Sequence, residues 1–231
     1  MTAPRFPSVA PRGAASDEKS KTHEERAVLA FDTSGPFCAA ALLLPAPLNT
    51  CRMIQRLEPM EKGQAERLVP LLEELLAEGG IGWPDLRALA VGTGPGNFTG
   101  VRISVATARG LALGLGIPAI GVTRLEALAY GQPRPLRVIE DARRGDVYFQ
   151  DFTEAGPGTA RLAAADSVEA MPNATGSAAG PAALPPAMPL VEAIARIGAT
   201  RAQTPQPRPA PFYLRGADAA PPSDPPPVIL P

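Results

Sequence analysis

Residues 28–44 read Val28-Leu-Ala-Phe-Asp-Thr-Ser-Gly-Pro-Phe-Cys-Ala-Ala-Ala-Leu-Leu-Leu44. An apolar run rich in strand formers ends at Asp32, Thr33-Ser34-Gly35-Pro36 supplies turn chemistry, and a second apolar run follows. That pattern predicts a β-hairpin. The second half of the chain repeats it. Leu136 to Glu140 is a strand, Asp141-Ala-Arg-Arg-Gly145 a turn, and Asp146 to Phe152 a second strand. Asp32 and Asp141 occupy the same place, an acid at the end of a first strand, which points to a duplicated lobe.

Working outward from the first hairpin, Thr50 to Leu57 reads as a third strand. Leu68, Leu71, Leu72, Leu75 and Leu76 then recur at three and four, the period of an amphipathic helix stopped by Gly79-Gly80. Pro70 within that run bends the helix or shifts its start. A buried strand, Leu86 to Val91, enters the glycine-rich stretch Gly92 to Gly100. A second helix at about Thr99 to Leu115, a strand at Ala119 to Val122 and a short helix opened by the capping box Thr123-Arg-Leu-Glu126 complete the half. The order β-β-β-α-β-α-β-α gives a mixed sheet flanked by helices, a ribonuclease-H-like lobe. After Phe152 the chain turns to Ala, Pro and Gly, with a helix-like stretch only at Val191 to Ala202, so the second lobe is a reduced one. The expected divisions are a disordered extension at 1–26, a first lobe at 27–118, a reduced lobe at 119–216 and a Pro-rich tail at 217–231.

Composition narrows the function. The 231 residues carry 22 basic and 23 acidic side chains, a net charge of −1, and 5% are aromatic. An autonomous nucleic-acid binder normally shows a basic stripe with stacking rings. With 45% apolar residues the chain has material for a core; 29 prolines, against a usual share of about 5%, dilute mainly its last third. Residues 1–26 hold no apolar core of a secretory signal. The most hydrophobic window, Ile103 to Val122, carries Arg109, several glycines and Pro118, which argues against a membrane span. The single histidine, His23, lies in the extension, so zinc and histidine-based hydrolysis lack their ligands and base. Cys38 and Cys51, set among apolar neighbours on strands, read as buried structural thiols of a chain kept in a reducing compartment.

Three features carry chemistry. Gly92 to Gly100 fails the P-loop template for want of a lysine, and fails the dinucleotide fingerprint at Asn97. It is either a strand–loop–helix anion site or a tight connection packed against the neighbouring lobe. Asp32, Thr33 and Ser34 offer a carboxylate and two hydroxyls, which suit a metal-bound water and a phosphate or, equally, a local turn. The echo at Asp141 and Arg143 favours the site. The helix from Thr99 is apolar nearly all round, with Ala106, Gly110 and Gly114 along one face. Such a helix is expected to be buried all round, either between the lobes or against a second subunit, the latter preferred. The expected interface comprises Leu68, Leu71, Leu72 and Leu75 of the first helix with Val101, Arg102, Val105, Ala106, Arg109, Gly110 and Gly114 of the second.

Leu29-Ala-Phe-Asp-Thr-Ser34, Gly94-Pro-Gly-Asn-Phe-Thr-Gly-Val-Arg-Ile103, Gly110-Leu-Ala-Leu-Gly114, Asp141-Ala-Arg-Arg-Gly-Asp-Val-Tyr148 and Pro211-Phe-Tyr-Leu-Arg215 together resemble the TsaB (YeaZ) family. The resemblance spans about Ala27 to Arg215. It implies the two-lobed, actin-like ATPase fold. It also implies a cytoplasmic, non-catalytic subunit of the bacterial machinery that makes threonylcarbamoyladenosine in tRNA. The implied partners are a TsaD-like catalytic subunit and a TsaE-like ATPase, with a homodimer in isolation, contact through the first two long helices, and tRNA met only through the complex. Asp32, Thr33, Ser34, Gly94, Gly96, Thr99, Asp141 and Arg143 then form a vestigial nucleotide or phosphate site, with no metal and weak or no binding of ATP or ADP with magnesium. This chain departs from the pattern at Gly63-Gln64-Ala65-Glu66, where relatives often carry a histidine. The alternative is an autonomous actin-like ATPase or kinase acting through Asp32, Thr33 and Asp141.

Overall fold

The computed structural model describes residues 26–46, 50–169 and 171–215; the expected extension and Pro-rich tail lie almost wholly outside them. Strands β1 (Ala27–Asp32), β2 (Phe37–Ala46) and β3 (Thr50–Pro59) form an antiparallel meander. Helix α1 (Gln64–Gly79), strand β4 (Leu86–Gly92), helix α2 (Phe98–Leu115), strand β5 (Ala119–Val122) and helix α3 (Arg124–Ala129) follow. The first sheet runs β3-β2-β1-β4-β5, with β4 and β5 parallel to β1. This is the ribonuclease-H-like arrangement. Central β1 is buried along its whole length, which its unbroken apolar run up to Asp32 requires.

The expected lobe boundary at 118 is corrected, because β5 pairs with β4 and belongs to the first sheet. A second correction concerns α4 (Leu190–Arg201), which returns from the second half to cover the first sheet. Its Ala193, Ile194 and Ile197 pack on Val28, Ala30, Ala88 and Ala90. Alanines on that face of the sheet let the helix come close. A Cβ built on Gly198 would sit 2.4 Å from that of Ala90, so only glycine fits there without a shift.

The opposite face is covered by α1 and α2. Leu68, Leu71, Leu72 and Leu75 are fully buried against Leu29, Phe31, Leu42 and Leu89. These four leucines, expected at a seam with another subunit, belong instead to the chain's own core. The reason is geometric. A leucine stripe one helix-face wide is what a sheet covers, and α1 passes through Pro70 without leaving it. Val101 and Val105 of α2 are likewise internal. Within the chain α2 is not buried all round, since Arg102, Ala106, Arg109, Gly110, Leu113 and Gly114 face solvent; burial between the lobes, one of the two expected covers, does not occur. Cys51 also departs from expectation. It lies exposed on edge strand β3, while Cys38 is buried on β2.

The second sheet is smaller. Strands β6 (Leu136–Asp141) and β7 (Asp146–Thr153) form the second hairpin, extended by β8 (Gly156–Pro157), β9 (Arg161–Ala164) and β10 (Ala174–Thr175). The order is β10-β6-β7-β8, and β9 also pairs with β7. Its core is a small cluster including Leu125, Leu128, Leu136, Val138 and Phe152. The lobe is reduced, as its composition requires.

Candidate functional site

At the end of β1, Asp32 Oδ1 accepts the Ser34 amide at 2.8 Å and Oδ2 accepts the Ser34 hydroxyl at 3.0 Å. Asp32 is only 1% exposed. Burial raises its carboxyl above the usual carboxylate range; the Ser34 amide and the charge of Arg124 act in the other direction. Thr33 Oγ1 donates to the Gly100 carbonyl at 2.7 Å, which fastens the hairpin turn to the first turn of α2.

The glycine-rich stretch closes over this turn. The Asn97 amide donates to the Ser34 carbonyl at 2.6 Å, the Gly100 amide to Asn97 Oδ1 at 2.9 Å, and the Val101 amide to the Asn97 carbonyl at 2.9 Å. A Cβ on Gly96 would stand 2.5 Å from the Ser34 carbonyl oxygen, one on Gly100 1.8 Å from that of Thr33, and one on Gly92 2.6 Å from Asp32. Gly96 and Gly100 are there because two backbones touch, and Gly92 because the Asp32 side chain lies against it. Of the two readings of this stretch, the tight connection describes the packing, although the contact is with the chain's own first hairpin. The Gly94 carbonyl accepts from the Arg124 amide, and the Thr93 carbonyl from the Phe212 amide. Thr99 lies on the exposed side of that helix start.

The second hairpin repeats the turn with a different setting. Asp141 Oδ1 accepts the Arg143 amide at 2.8 Å, as Asp32 accepts that of Ser34, yet Asp141 is exposed. Arg143 and Arg144 both sit at positive φ, +63° and +57°, a strained conformation for side-chain-bearing residues. Arg215 braces this tip by donating to the Ala142 carbonyl at 3.2 Å and to Asp146 Oδ2 at 2.7 Å. The loop Gly176 to Gly180 lies along β6. The Ser177 amide donates to Glu140 Oε1 at 2.7 Å, and Ser177 Oγ accepts the Asp141 amide at 3.0 Å. Arg124 forms an ion pair with Glu140 while its charge also reaches Asp32. It is the link between the two hairpin ends, and sequence reading missed it because nothing local marks it. No group of three or more His, Cys, Asp or Glu side chains that could hold a metal occurs among the described residues.

A different surface lies on the outer side of α2. The Phe98 and Tyr213 rings stack at 5.3 Å and are about half exposed. The Arg102 guanidinium lies 3.7 Å from the Phe98 ring centre, and its Nε donates to the Tyr213 hydroxyl at 3.0 Å. An open groove of about 410 Å³ between α2 and the segment that follows α4 is lined by Arg102, Val105, Ala106, Arg109 and Pro211. Leu113 is 83% exposed further along the helix.

The sequence profile of the family described as TsaD, tRNA N6-adenosine threonylcarbamoyltransferase, matches residues 58–221. The solved structure of YeaZ from Pseudomonas aeruginosa superimposes with a TM-score of 0.65 at 27% identity, covering 82% of this chain and 100% of that one. The tRNA threonylcarbamoyladenosine biosynthesis protein TsaB of Escherichia coli is 38% identical over 130 residues. The chain belongs to the TsaB (YeaZ) family. The Escherichia coli match covers 54% of this chain and 54% of that protein, so the chain spans about half the length of the curated TsaB relatives it matches. An uncharacterized Mycobacterium bovis protein is 35% identical over 201 residues, 84% of this chain and 94% of its own length. In TsaB terms, the structure has two hairpin-led sheets, of which the second is small and the first is covered on both faces. No described helix is long and apolar enough to cross a membrane.

Proposed function

We propose that this chain is a non-catalytic, cytoplasmic subunit of the machinery that forms threonylcarbamoyladenosine in tRNA. In this reading it docks a TsaD-like catalytic subunit, works beside a TsaE-like ATPase, pairs with itself in isolation and meets tRNA only through the complex. The observation that carries the reading is the closure of the Asp32 turn. The amides of Ser34, Asn97, Gly100 and Val101, four of those at the loop and helix start that a phosphate cradle could use, are taken by acceptors within the chain. The vestigial site of Asp32, Thr33, Ser34, Gly94, Gly96, Thr99, Asp141 and Arg143 then binds ATP or ADP with magnesium weakly or not at all. Contact with partners falls to what α2 leaves exposed, namely Arg102, Ala106, Arg109, Gly110 and Gly114.

The test is reconstitution. The purified chain alone should hydrolyse ATP no faster than buffer. Added to a TsaD-like subunit with its ATPase, tRNA, threonine, bicarbonate and ATP, it should make modification proceed. Hydrolysis by the chain alone that is lost in Asp32→Asn supports the autonomous ATPase instead.

A further inference from the structure

The groove beside α2 joins an apolar floor, Val105, Ala106 and Pro211, to the guanidinium groups of Arg102 and Arg109. Helix α2 carries no acidic residue to offset them. Arg102 is held by the Phe98 ring and the Tyr213 hydroxyl. Arg109, exposed two turns further on, has no partner among the described residues. The groove therefore offers a positive charge, an apolar floor and, beside Arg102, the half-exposed stack of Phe98 and Tyr213. Its far wall leads directly into the last stretch of the sequence. Pro211 lines the groove, and Arg215 is fastened to the second hairpin through Asp146. Four residues of chain span at most about 14 Å, so the chain passes Arg215 within that distance of the groove.

The residues that follow read Gly216-Ala-Asp-Ala-Ala-Pro-Pro-Ser-Asp-Pro-Pro-Pro-Val-Ile-Leu-Pro231. They carry two acids, Asp218 and Asp224, and no base, the complement of the groove. Prolines flank Asp224 on its C-terminal side and recur before Ser223. A proline-rich segment has little freedom to lose in taking the extended left-handed form that aromatic-lined grooves recognise. At about 3.1 Å per residue in that form, the stretch from Gly216 to Ser223 spans about 25 Å, more than the way back to the groove. We infer that residues 216–231 fold back into the groove, with Asp224 at Arg109 and the prolines and Val228-Ile229-Leu230 over its apolar floor, and that they mask this face until a partner displaces them. The masking rests on the reading of the outer face of α2 as a docking surface; the contact itself does not. Tethering favours this occupant, because a linked segment competes at an effective concentration of about millimolar.

The experiment uses the full chain with Cys51→Ser, which leaves only the buried Cys38, and a nitroxide attached at Ser223→Cys. Nuclear magnetic resonance of the isotope-labelled chain reads which amides the nitroxide broadens. Those of Arg102 to Arg109 should lose most of their intensity, and more so at low salt, since salt screens the Asp224–Arg109 pair. Asp218→Lys/Asp224→Lys reverses the charge of the segment, and Ala106→Trp fills the groove without altering charge; each should restore the intensity. Broadening that survives both reports the tether alone and overturns the inference, as does a segment of native charge that broadens nothing on α2. Broadening in a mixture of isotope-labelled chain without nitroxide and unlabelled chain with it places the segment on a second copy, and overturns the inference too. Masking is read separately, by titration with a TsaD-like subunit. Only chains with the face free are competent to bind, so Asp218→Lys/Asp224→Lys should bind several-fold more tightly than wild type. Equal affinities overturn the masking. No binding by either chain contradicts the docking reading and the masking with it, while the broadening still decides the contact.

Discussion

The hydroxyl of Thr33, at the tip of the first hairpin, donates to the carbonyl of Gly100 in the first turn of α2, and a Cβ on Gly100 would fall 1.8 Å from the Thr33 carbonyl oxygen. One residue thus both bonds the helix start and forbids it a side chain. The pair turns the glycine-rich stretch from a loop open to a ligand into a joint between β1 and α2.

The two substitutions at this joint should differ in severity. Thr33→Val keeps the shape and removes one buried hydrogen bond, with Ser104 Oγ still 3.3 Å from the Gly100 carbonyl, so a loss of about 1–2 kcal/mol in urea unfolding is expected. Gly100→Ala must move backbone, and it should lose more than Thr33→Val in the same titration.

The leucine stripe of α1 is core, and its variants should behave as core variants. Leu72→Ala should cost about 2–5 kcal/mol of stability. Leu72→Asp should leave little folded chain at all, by circular dichroism and thermal melting. A folded Leu72→Asp monomer would place the stripe at an interface after all.

Thiol reactivity separates the two cysteines. Cys51 is exposed, whereas burial pushes the Cys38 thiol up to about 11, leaving it protonated and inaccessible at neutral pH. A disulfide reagent such as Ellman's should titrate one thiol in the native chain at pH 8 and two in denaturant. Mass spectrometry of the native product should place the label on Cys51.

The buried carboxyl of Asp32 should leave a mark on pH dependence. Its raised value means that the folded chain holds this proton more tightly than the unfolded chain does. The group's contribution to stability is therefore best below the ordinary carboxylate value and is lost as pH rises through the raised one. Asp151, held low by Arg137, acts in the opposite sense and loses its contribution as pH falls. Asp32→Asn keeps the size and removes the buried charge. Its melting temperature should exceed that of wild type at neutral pH, and the gap should close toward acid pH. A gap that is constant with pH would mean that Asp32 titrates normally.

The sheet was readable because its signals are local. The apolar runs on either side of Thr33-Ser34, the change of period at Leu68 and the capping box at Thr123 each depend on a few neighbours. The repeated turn was legible as well, since Asp32 and Asp141 close it by bonding an amide two residues on. Long-range placement was not legible. Nothing in Leu190 to Arg201 says which sheet α4 covers; that follows from Gly198 fitting against Ala90. The leucines of α1 were misread because an amphipathic stripe looks the same whether a sheet or another subunit covers it. Exposure of Arg102 and Arg109, and the role of Tyr213 in holding Arg102, depend on the segment after α4 running beside α2, a contact 111 residues apart in sequence.

The most direct measurement is threonylcarbamoyl transfer to tRNA by a TsaD-like subunit and its ATPase, supplied in turn with wild-type chain, Asp32→Asn and Gly110→Trp. If the closed turn is inert and the outer face of α2 is the working surface, Asp32→Asn should support modification at a rate near wild type and Gly110→Trp should not. The reverse pattern, with activity lost in Asp32→Asn and kept in Gly110→Trp, would contradict the proposed role and return the chemistry to the hairpin.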